Sequence, residues 1–160
     1  MHTDLWNFAL NLYARPGVEA ACLQWQDQGG DVCLLLCAAW LHERGVTPNE
    51  QQARELCELA NAWQVDVVTP LRKLRQQWRA ASGQDEELAH LRKQVKGLEL
   101  AAERVLLERL EAISEAWEKS GPLDSLWMQW AVPSGSSVHH DALQKLRAVM
   151  LTTQDAEDGV

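Results

Sequence analysis

Two carboxylates in the first third of the chain have a spacing that suits metal binding. Asp27 and Asp31 are four positions apart, and one continuous helix would place both on the same face, where carboxylate oxygens hold Mg²⁺. Gly29 and Gly30 stand between them and interrupt any such helix. We therefore predict that Asp31 caps the next helix, because aspartate is a favoured N-cap residue. The alternative is a ligand-binding site formed by Gln24, Asp27, Gln28 and Asp31.

The four cysteines lack the spacing of a recognisable zinc site. Cys33 and Cys37 are one helical turn apart within an apolar segment, and Cys22 and Cys57 lie in other apolar patterns. Zinc sites that can be read from sequence use paired C-x2-C turns. Because free cysteine is among the most buried residue types, we predict reduced core thiols in a cytoplasmic protein, with no metal and no cofactor.

Basic residues cluster in one part of an otherwise acidic chain. The whole chain carries a net charge of −8, which disfavours nonspecific binding to nucleic acid or to anionic membrane. Between residues 72 and 96, seven bases accompany three acids, and they share a surface if the two helices of this region pair antiparallel. This basic face comprises Arg72, Arg75, Arg79, Arg92 and Lys96. It suits an acidic partner, the chain's own acidic tail or nucleic acid phosphates, and the simpler alternative is a solvated helix face.

The spacing of apolar residues predicts an all-α, single-domain bundle of six to seven helices. The first helix spans about residues 4–14, and the second runs from Pro16 to Gly29 or Gly30, where glycine favours a helix C-terminus. The third helix, from the Asp31 cap to about Arg44, is apolar on nearly every side. A helix without a polar face has to be buried, so we predict that it forms the centre of the bundle.

The fourth helix has the clearest start signal in the chain. Thr47 is the predicted N-cap, Pro48 the first helical residue, and Glu50 the third residue after the cap, which together make a capping box. The start of the fifth helix stays open between two positions. It is either Val65, in a helix that continues with a kink, or Pro70, with the preceding threonine as its cap.

A long helix is predicted over about residues 85–119, a length of about 50 Å. Its apolar steps of three and four resemble those of a coiled coil with one phase slip. The stripe consists of Leu88, Leu91, Val95, Leu98, Ala102, Leu106, Leu110, Ile113 and Trp117. We expect the stripe to pack on its own domain, and the alternative is an intermolecular zipper.

The helical domain is expected to cover residues 1–151, with a last amphipathic helix over 138–151. Residues 152–160 contain three acids, no base and no aromatic residue, and we expect them to form a disordered tail. The longest strongly apolar run, 32–41, is about half the length that spans a bilayer. The N-terminus lacks the basic and then apolar order of a secretory signal.

Two segments carry a resemblance to a known family. They are LWNFALNLYARPGVEAACLQWQDQGGDVCLLLCAAWL, beginning at Leu5, and VVTPLRKLRQQWR, beginning at Val67. The chain from Leu5 to about Trp117 resembles an uncharacterised bacterial family known as domain of unknown function 2390. The resemblance implies an all-helical cytosolic protein and supplies no activity or site residue. Cys33 stands where asparagine is expected in the family.

These features favour a non-enzymatic helical interaction or adaptor protein. The chain contains neither a P-loop nor a G-x-G-x-x-G turn, and its five histidines are scattered. A protein partner or self-association through the long helix is the corresponding expectation. One alternative is a small helical enzyme or ligand-binding protein that uses Asp27 and Asp31, and another is a nucleic-acid-associated protein that uses the basic face.

Overall fold

The computed structural model describes residues 5–119, and this part of the chain consists of helices joined by short turns, without a strand. The predicted all-α class is confirmed. The predicted C-terminal helix and acidic tail lie outside the described residues. In chain order the elements are α1 (Leu5–Tyr13), α2 (Val18–Asp27), α3 (Val32–Glu43), α4 (Glu50–Trp63), a π-helical turn (Gln64–Val68), α5 (Thr69–Gln77), α6 (Arg79–Ser82) and α7 (Glu86–Ser114).

Helix α3 is the centre of the bundle, as predicted. Every residue from Cys33 to Leu41 is buried, and α1, α2, α4 and α7 all pack against this helix. Because α3 has no polar side, it is stabilised only where apolar neighbours surround it completely. The other helices are amphipathic and supply those neighbours, among them Leu5, Leu56 and Leu106, which are fully buried.

The two positions before α3 require glycine for different structural reasons. Gly29 adopts a positive φ of 90°, a conformation that side-chain-bearing residues rarely adopt. Gly30 has a negative φ, but a Cβ there would overlap the indole of Trp25, which is fully buried. The indole Nε1 donates a hydrogen bond to the Asp31 carbonyl oxygen at 3.3 Å. The turn thus packs α2 tightly onto the start of α3.

Helix α4 begins two residues later than predicted. Its N-cap is Asn49, whose side chain accepts a hydrogen bond from the Gln52 amide at 2.8 Å, while the Gln52 side chain accepts one from the Asn49 amide at 3.0 Å. The predicted box of Thr47 and Glu50 is therefore wrong. Asparagine caps helices as well as threonine or better, and glutamine closes the box as glutamate does. The sequence offers two acceptable capping boxes, Thr47 with Glu50 and Asn49 with Gln52, and the structure has the second.

Helices α4 and α5 are continuous through the π-helical turn, which resolves the open start of the fifth helix. Thr69 has helical backbone angles and makes no side-chain cap, so a new start at Pro70 is wrong. Proline has no amide hydrogen, and its ring presses on the carbonyl four residues earlier, that of Asp66. A wider turn immediately before Pro70 relieves this crowding without ending the helix.

The long helix α7 begins as predicted, with the Asp85 side chain accepting from the Leu88 amide at 3.1 Å. It ends at Ser114 rather than near residue 119. The Ser114 hydroxyl bonds back to the Leu110 carbonyl at 2.6 Å, and Arg44 Nη2 donates to the Glu115 carbonyl at 3.0 Å. Arg44 thus satisfies the Glu115 carbonyl, which a continuing helix would have paired with a later amide, and the Trp117 amide bonds to the Ser114 carbonyl at 3.1 Å in place of an α-helical bond.

The apolar stripe of α7 packs mainly on its own domain. Four of its residues are buried there, namely Val95, Ala102, Leu106 and Leu110. Leu91, Leu98 and Ile113 are exposed. None of the helices between residues 5 and 119 has the length and apolarity needed to cross a bilayer.

Candidate functional site

An open cavity of about 910 Å³ lies between α1, α2, the start of α3, α4, α5 and α7. Its size is within the range of about 300–1,000 Å³ that is typical of small-molecule sites. Four aliphatic side chains that line it remain about half exposed to solvent: Leu10, Leu23, Val65 and Leu100. They give the cavity an accessible apolar wall.

Asp31 has two roles, since it caps α3 and also lines this cavity. Its Oδ1 accepts hydrogen bonds from the Leu34 amide at 3.2 Å and from Gln64 Nε2 at 3.0 Å. Burial raises the pKa of the Asp31 carboxyl, against the opposing effects of these donors and of the Arg72 charge. The predicted cap is confirmed.

Two arginines of α5 reach two glutamates of α7 beneath the cavity. Arg72 Nε donates to Glu99 Oε1 at 3.0 Å, and its Nη2 donates to Glu103 Oε1 at 3.3 Å. Arg75 makes two bonds to Glu99, at 2.6 Å to Oε2 and at 3.3 Å to Oε1. We call the residues Asp31, Arg72, Arg75, Glu99 and Glu103 the carboxylate–arginine network.

The two glutamates of this network have opposite pKa shifts. Burial would raise the pKa of Glu99, but the hydrogen bonds from Arg75 and Arg72 outweigh it, so that the pKa is lowered. For Glu103 burial prevails and the pKa is raised, helped by the neighbouring negative charges of Glu99 and Asp31. The difference follows from the number of donors, because Glu99 accepts three of these hydrogen bonds and Glu103 accepts one.

The π-helical turn brings Gln64 and Arg72 to the same side of the α4–α5 helix. Residues eight positions apart differ by about 80° around a regular α-helix. A π turn absorbs about one residue, which reduces the difference to roughly 20°. Gln64 and Arg72 therefore both line the cavity. The π-helical turn thus positions the side chains of Gln64 and Arg72 at the cavity.

The cysteines are free, and three of them are buried, as predicted for Cys22, Cys33 and Cys37; Cys57 is half-buried. Burial raises the pKa of the Cys22 thiol to about 12 and raises that of Cys33 well above its ordinary value. Cys33 Sγ lies 3.9 Å from the Glu103 carbonyl oxygen, so this thiol donates a weak hydrogen bond. Within residues 5–119, no three His, Cys, Asp or Glu side chains come together as metal ligands would.

Most of the ligand-binding residues predicted from sequence do not meet at the cavity. Asp31 lines it, whereas Gln24, Asp27 and Gln28 are not among the described residues that do; Asp27 is exposed. Gln26, which lies within the same polar segment but outside the predicted ligand-binding set, does line the cavity. The cavity is thus lined by residues on both sides of the turn before α3, namely Gln26 and Asp31.

The predicted basic face divides into an inner and an outer part. Arg72 and Arg75 are engaged by Glu99, and Arg92 Nε donates to the Arg75 carbonyl at 2.9 Å. Arg79 and Lys96 are exposed. The sequence reasoning missed Glu99 and Glu103, although their i, i+4 spacing puts both on one face of α7 opposite two arginines of the antiparallel partner.

Residues 5–119 thus define an all-helical domain with a ligand-sized cavity bordered by the partly buried carboxylate–arginine network. Comparison with family models gives a more specific statement. The chain belongs to the family described as protein of unknown function (DUF2390), whose model matches residues 4–110, and the resemblance stated from the sequence is confirmed. Comparisons with curated proteins and with solved structures found no match.

Proposed function

We propose that this protein is a non-enzymatic binding protein that holds a small ligand with an apolar body in the cavity. The observation that carries the proposal is the combination of an accessible apolar wall with polar side chains already held in place by hydrogen bonds. Small-molecule sites have this composition, in which apolar surface supplies affinity and a few fixed polar groups supply orientation.

A binding role is supported by the chemistry of the groups around the cavity. The thiols of Cys22 and Cys33 are kept protonated by burial, which raises their pKa values, and a protonated thiol is a poor nucleophile. The carboxylate of Asp31 is occupied as a helix cap. Protonated thiols and a carboxylate held as a helix cap suit the binding and orientation of a ligand rather than its chemical conversion.

The apolar wall can supply useful affinity. A ligand that removed about 200 Å² of apolar surface from water would gain on the order of 5 kcal/mol, before the cost of its own immobilisation. Leu100 of α7 offers a test with a close control, because Leu98 on the same helix is equally exposed, at 57% against 56%. Leu98 is not among the described residues that line the cavity.

The experiment is a fluorescence titration with Nile red, a neutral apolar dye. We expect saturable binding with one dye per chain, weakened about tenfold by Leu100→Gln and unchanged by Leu98→Gln. Both variants retain helix-favouring side chains, and circular dichroism checks their folding. Absence of saturable binding by the wild type, or equal weakening by both variants, contradicts the proposal.

A second candidate function is association with a protein partner or a second copy through α7. Leu91 and Leu98 are exposed, seven residues apart, and therefore on one stripe of the helix. Light scattering coupled to size-exclusion chromatography tests self-association, and the double variant Leu91→Gln with Leu98→Gln should abolish it. A monomer at all concentrations argues against a second copy.

Nucleic-acid binding by the basic face has less support, because Arg72 and Arg75 already donate to Glu99. If it occurs, affinity has to fall steeply with salt. The four free cysteines support a reducing compartment such as the cytoplasm.

A further inference from the structure

We infer that the ligand carries one cationic group, a protonated amine, which binds beside Glu103 and Asp31 within the cavity. This inference rests on the proposed function, because it concerns the same cavity. It adds the chemical class of the polar group that the cavity selects.

The charges around the cavity are the first reason. The carboxylate–arginine network contains three carboxylates and two guanidinium groups, so the negative charges outnumber the positive charges by one. Arg75 is committed to Glu99 through two hydrogen bonds. Arg72 divides its donors between Glu99 and Glu103. The unmatched charge therefore falls on the Glu103 and Asp31 side of the network, which is the side that lines the cavity.

Glu103 is the second reason, because its hydrogen bonding is incomplete. Its Oε1 accepts from Arg72 at 3.3 Å, and its Oε2 accepts no hydrogen bond from any residue between 5 and 119. Its charged and titratable neighbours are Tyr13 of α1, Asp31 and Cys33 at the start of α3, Arg72 and Arg75 of α5, and Glu99 one turn earlier on α7. Two of them are cationic, and Arg75 makes both of its hydrogen bonds to Glu99. An ammonium group would supply the missing donor and offset the repulsion between the carboxylates.

An anionic ligand fits this arrangement poorly. It would add a fourth negative charge and would have to displace Glu99 or Glu103 from Arg72. The other arginine that lines the cavity, Arg54, is paired with Glu50 at 3.1 Å, and Glu58 lines the cavity close to it in sequence. Of the described residues that line the cavity, neither arginine can receive a carboxylate or phosphate without the loss of an existing ion pair.

The test compares three probes of nearly equal shape: phenylbutylammonium, phenylbutanol and phenylbutanoate. Isothermal titration calorimetry at neutral pH measures the affinity of each probe for the full chain. We expect the ammonium to bind about 10- to 100-fold more tightly than the alcohol, as a charge-assisted hydrogen bond to a partly buried carboxylate allows. The carboxylate should bind most weakly.

Variants then assign the preference to Glu103. Glu103→Gln should reduce the ratio of ammonium to alcohol affinity to about one, because the amide keeps the size but not the charge. Glu108→Gln is the matched control: it removes an exposed glutamate of the same helix that pairs with Arg104, and the ratio should stay as in the wild type. Circular dichroism confirms that both variants are folded.

The outcomes separate the two proposals. If the alcohol binds but the ammonium binds no better, or if Glu103→Gln keeps the preference, the cationic ligand is refuted while the apolar cavity stands. If none of the three probes binds, the proposed function is refuted and this inference with it.

Discussion

Glu99 and Glu103 lie one turn apart on the same helix, and replacing each by glutamine should have opposite effects on stability. Glu99 accepts three hydrogen bonds from two arginines that are themselves only 19% and 23% exposed. A glutamine keeps one acceptor oxygen and loses the charge. We count the loss as two charge-assisted bonds, because one oxygen no longer accepts and the bonds to the other lose the carboxylate charge. At about 1.5 kcal/mol each, the lower end of the usual range, the free energy of unfolding should fall by about 3 kcal/mol.

Glu103→Gln should leave stability unchanged or raise it by about 1 kcal/mol. The amide oxygen still accepts from Arg72 Nη2, and the variant removes a charge that burial disfavours. In a chain of this length 1 kcal/mol corresponds to roughly 2–4 °C in melting temperature. At pH 7 the melting temperature should therefore be roughly 6–12 °C lower than that of the wild type for Glu99→Gln and up to roughly 4 °C higher for Glu103→Gln.

Thermal unfolding followed by circular dichroism between pH 3 and pH 7 gives the decisive comparison. The lowered pKa of Glu99 stabilises the wild type above the ordinary glutamate pKa, and this contribution is lost as the pH falls. The raised pKa of Glu103 acts in the opposite sense, since it favours folding at acid pH and this advantage is lost as the pH rises. The difference in melting temperature between each variant and the wild type should thus become smaller as the pH falls toward 3. Equal destabilisation by the two substitutions at pH 7 would refute this account of the network.

Three further substitutions or measurements test other features. Gly30→Ala should lower stability by about 1–3 kcal/mol, because the new Cβ would overlap the Trp25 indole. Gly97→Ala lies in open space on α7 and should raise stability by up to about 1 kcal/mol. Urea denaturation measures both changes. Asp31→Ala should cost about 1 kcal/mol or more through loss of the cap, and Asp31→Asn much less, because asparagine also caps; equal losses would contradict the capping role. With Ellman's reagent, half-buried Cys57 should react first and the three buried thiols only on unfolding; simultaneous reaction of all four would contradict the burial.

The sequence predicted the fold best where one physical requirement dominated. Helix α3 has no polar face, so burial was its only stable arrangement, and Asp31 was the obvious cap after two glycines. At the start of α4 two good caps, Thr47 and Asn49, occur within three residues, and only the hydrogen bonds between Asn49 and Gln52 show which is used. The π turn depends on Pro70 and on the packing around it, which no periodicity reveals.

The site was less predictable because it is assembled from distant parts of the chain. Asp31 and Gln64 are bonded across 33 positions, and Arg72 meets Glu103 across 31. The arginines alone suggested an outward basic surface. Their pairing with α7 follows only once the antiparallel hairpin is known, since a charge pattern on one helix does not show what the facing helix presents.

The end of that hairpin has a practical consequence. Among the elements between residues 5 and 119, α5 and α6 contact only each other, the π turn and α7, and no residue from Arg79 to Leu91 is buried. This end adds little to the apolar centre, which makes Gly83 and Gln84, at the bend, a suitable place to insert a fluorophore or an affinity tag. A label there would report on the molecule while the cavity, at the opposite end of α5, stays unobstructed.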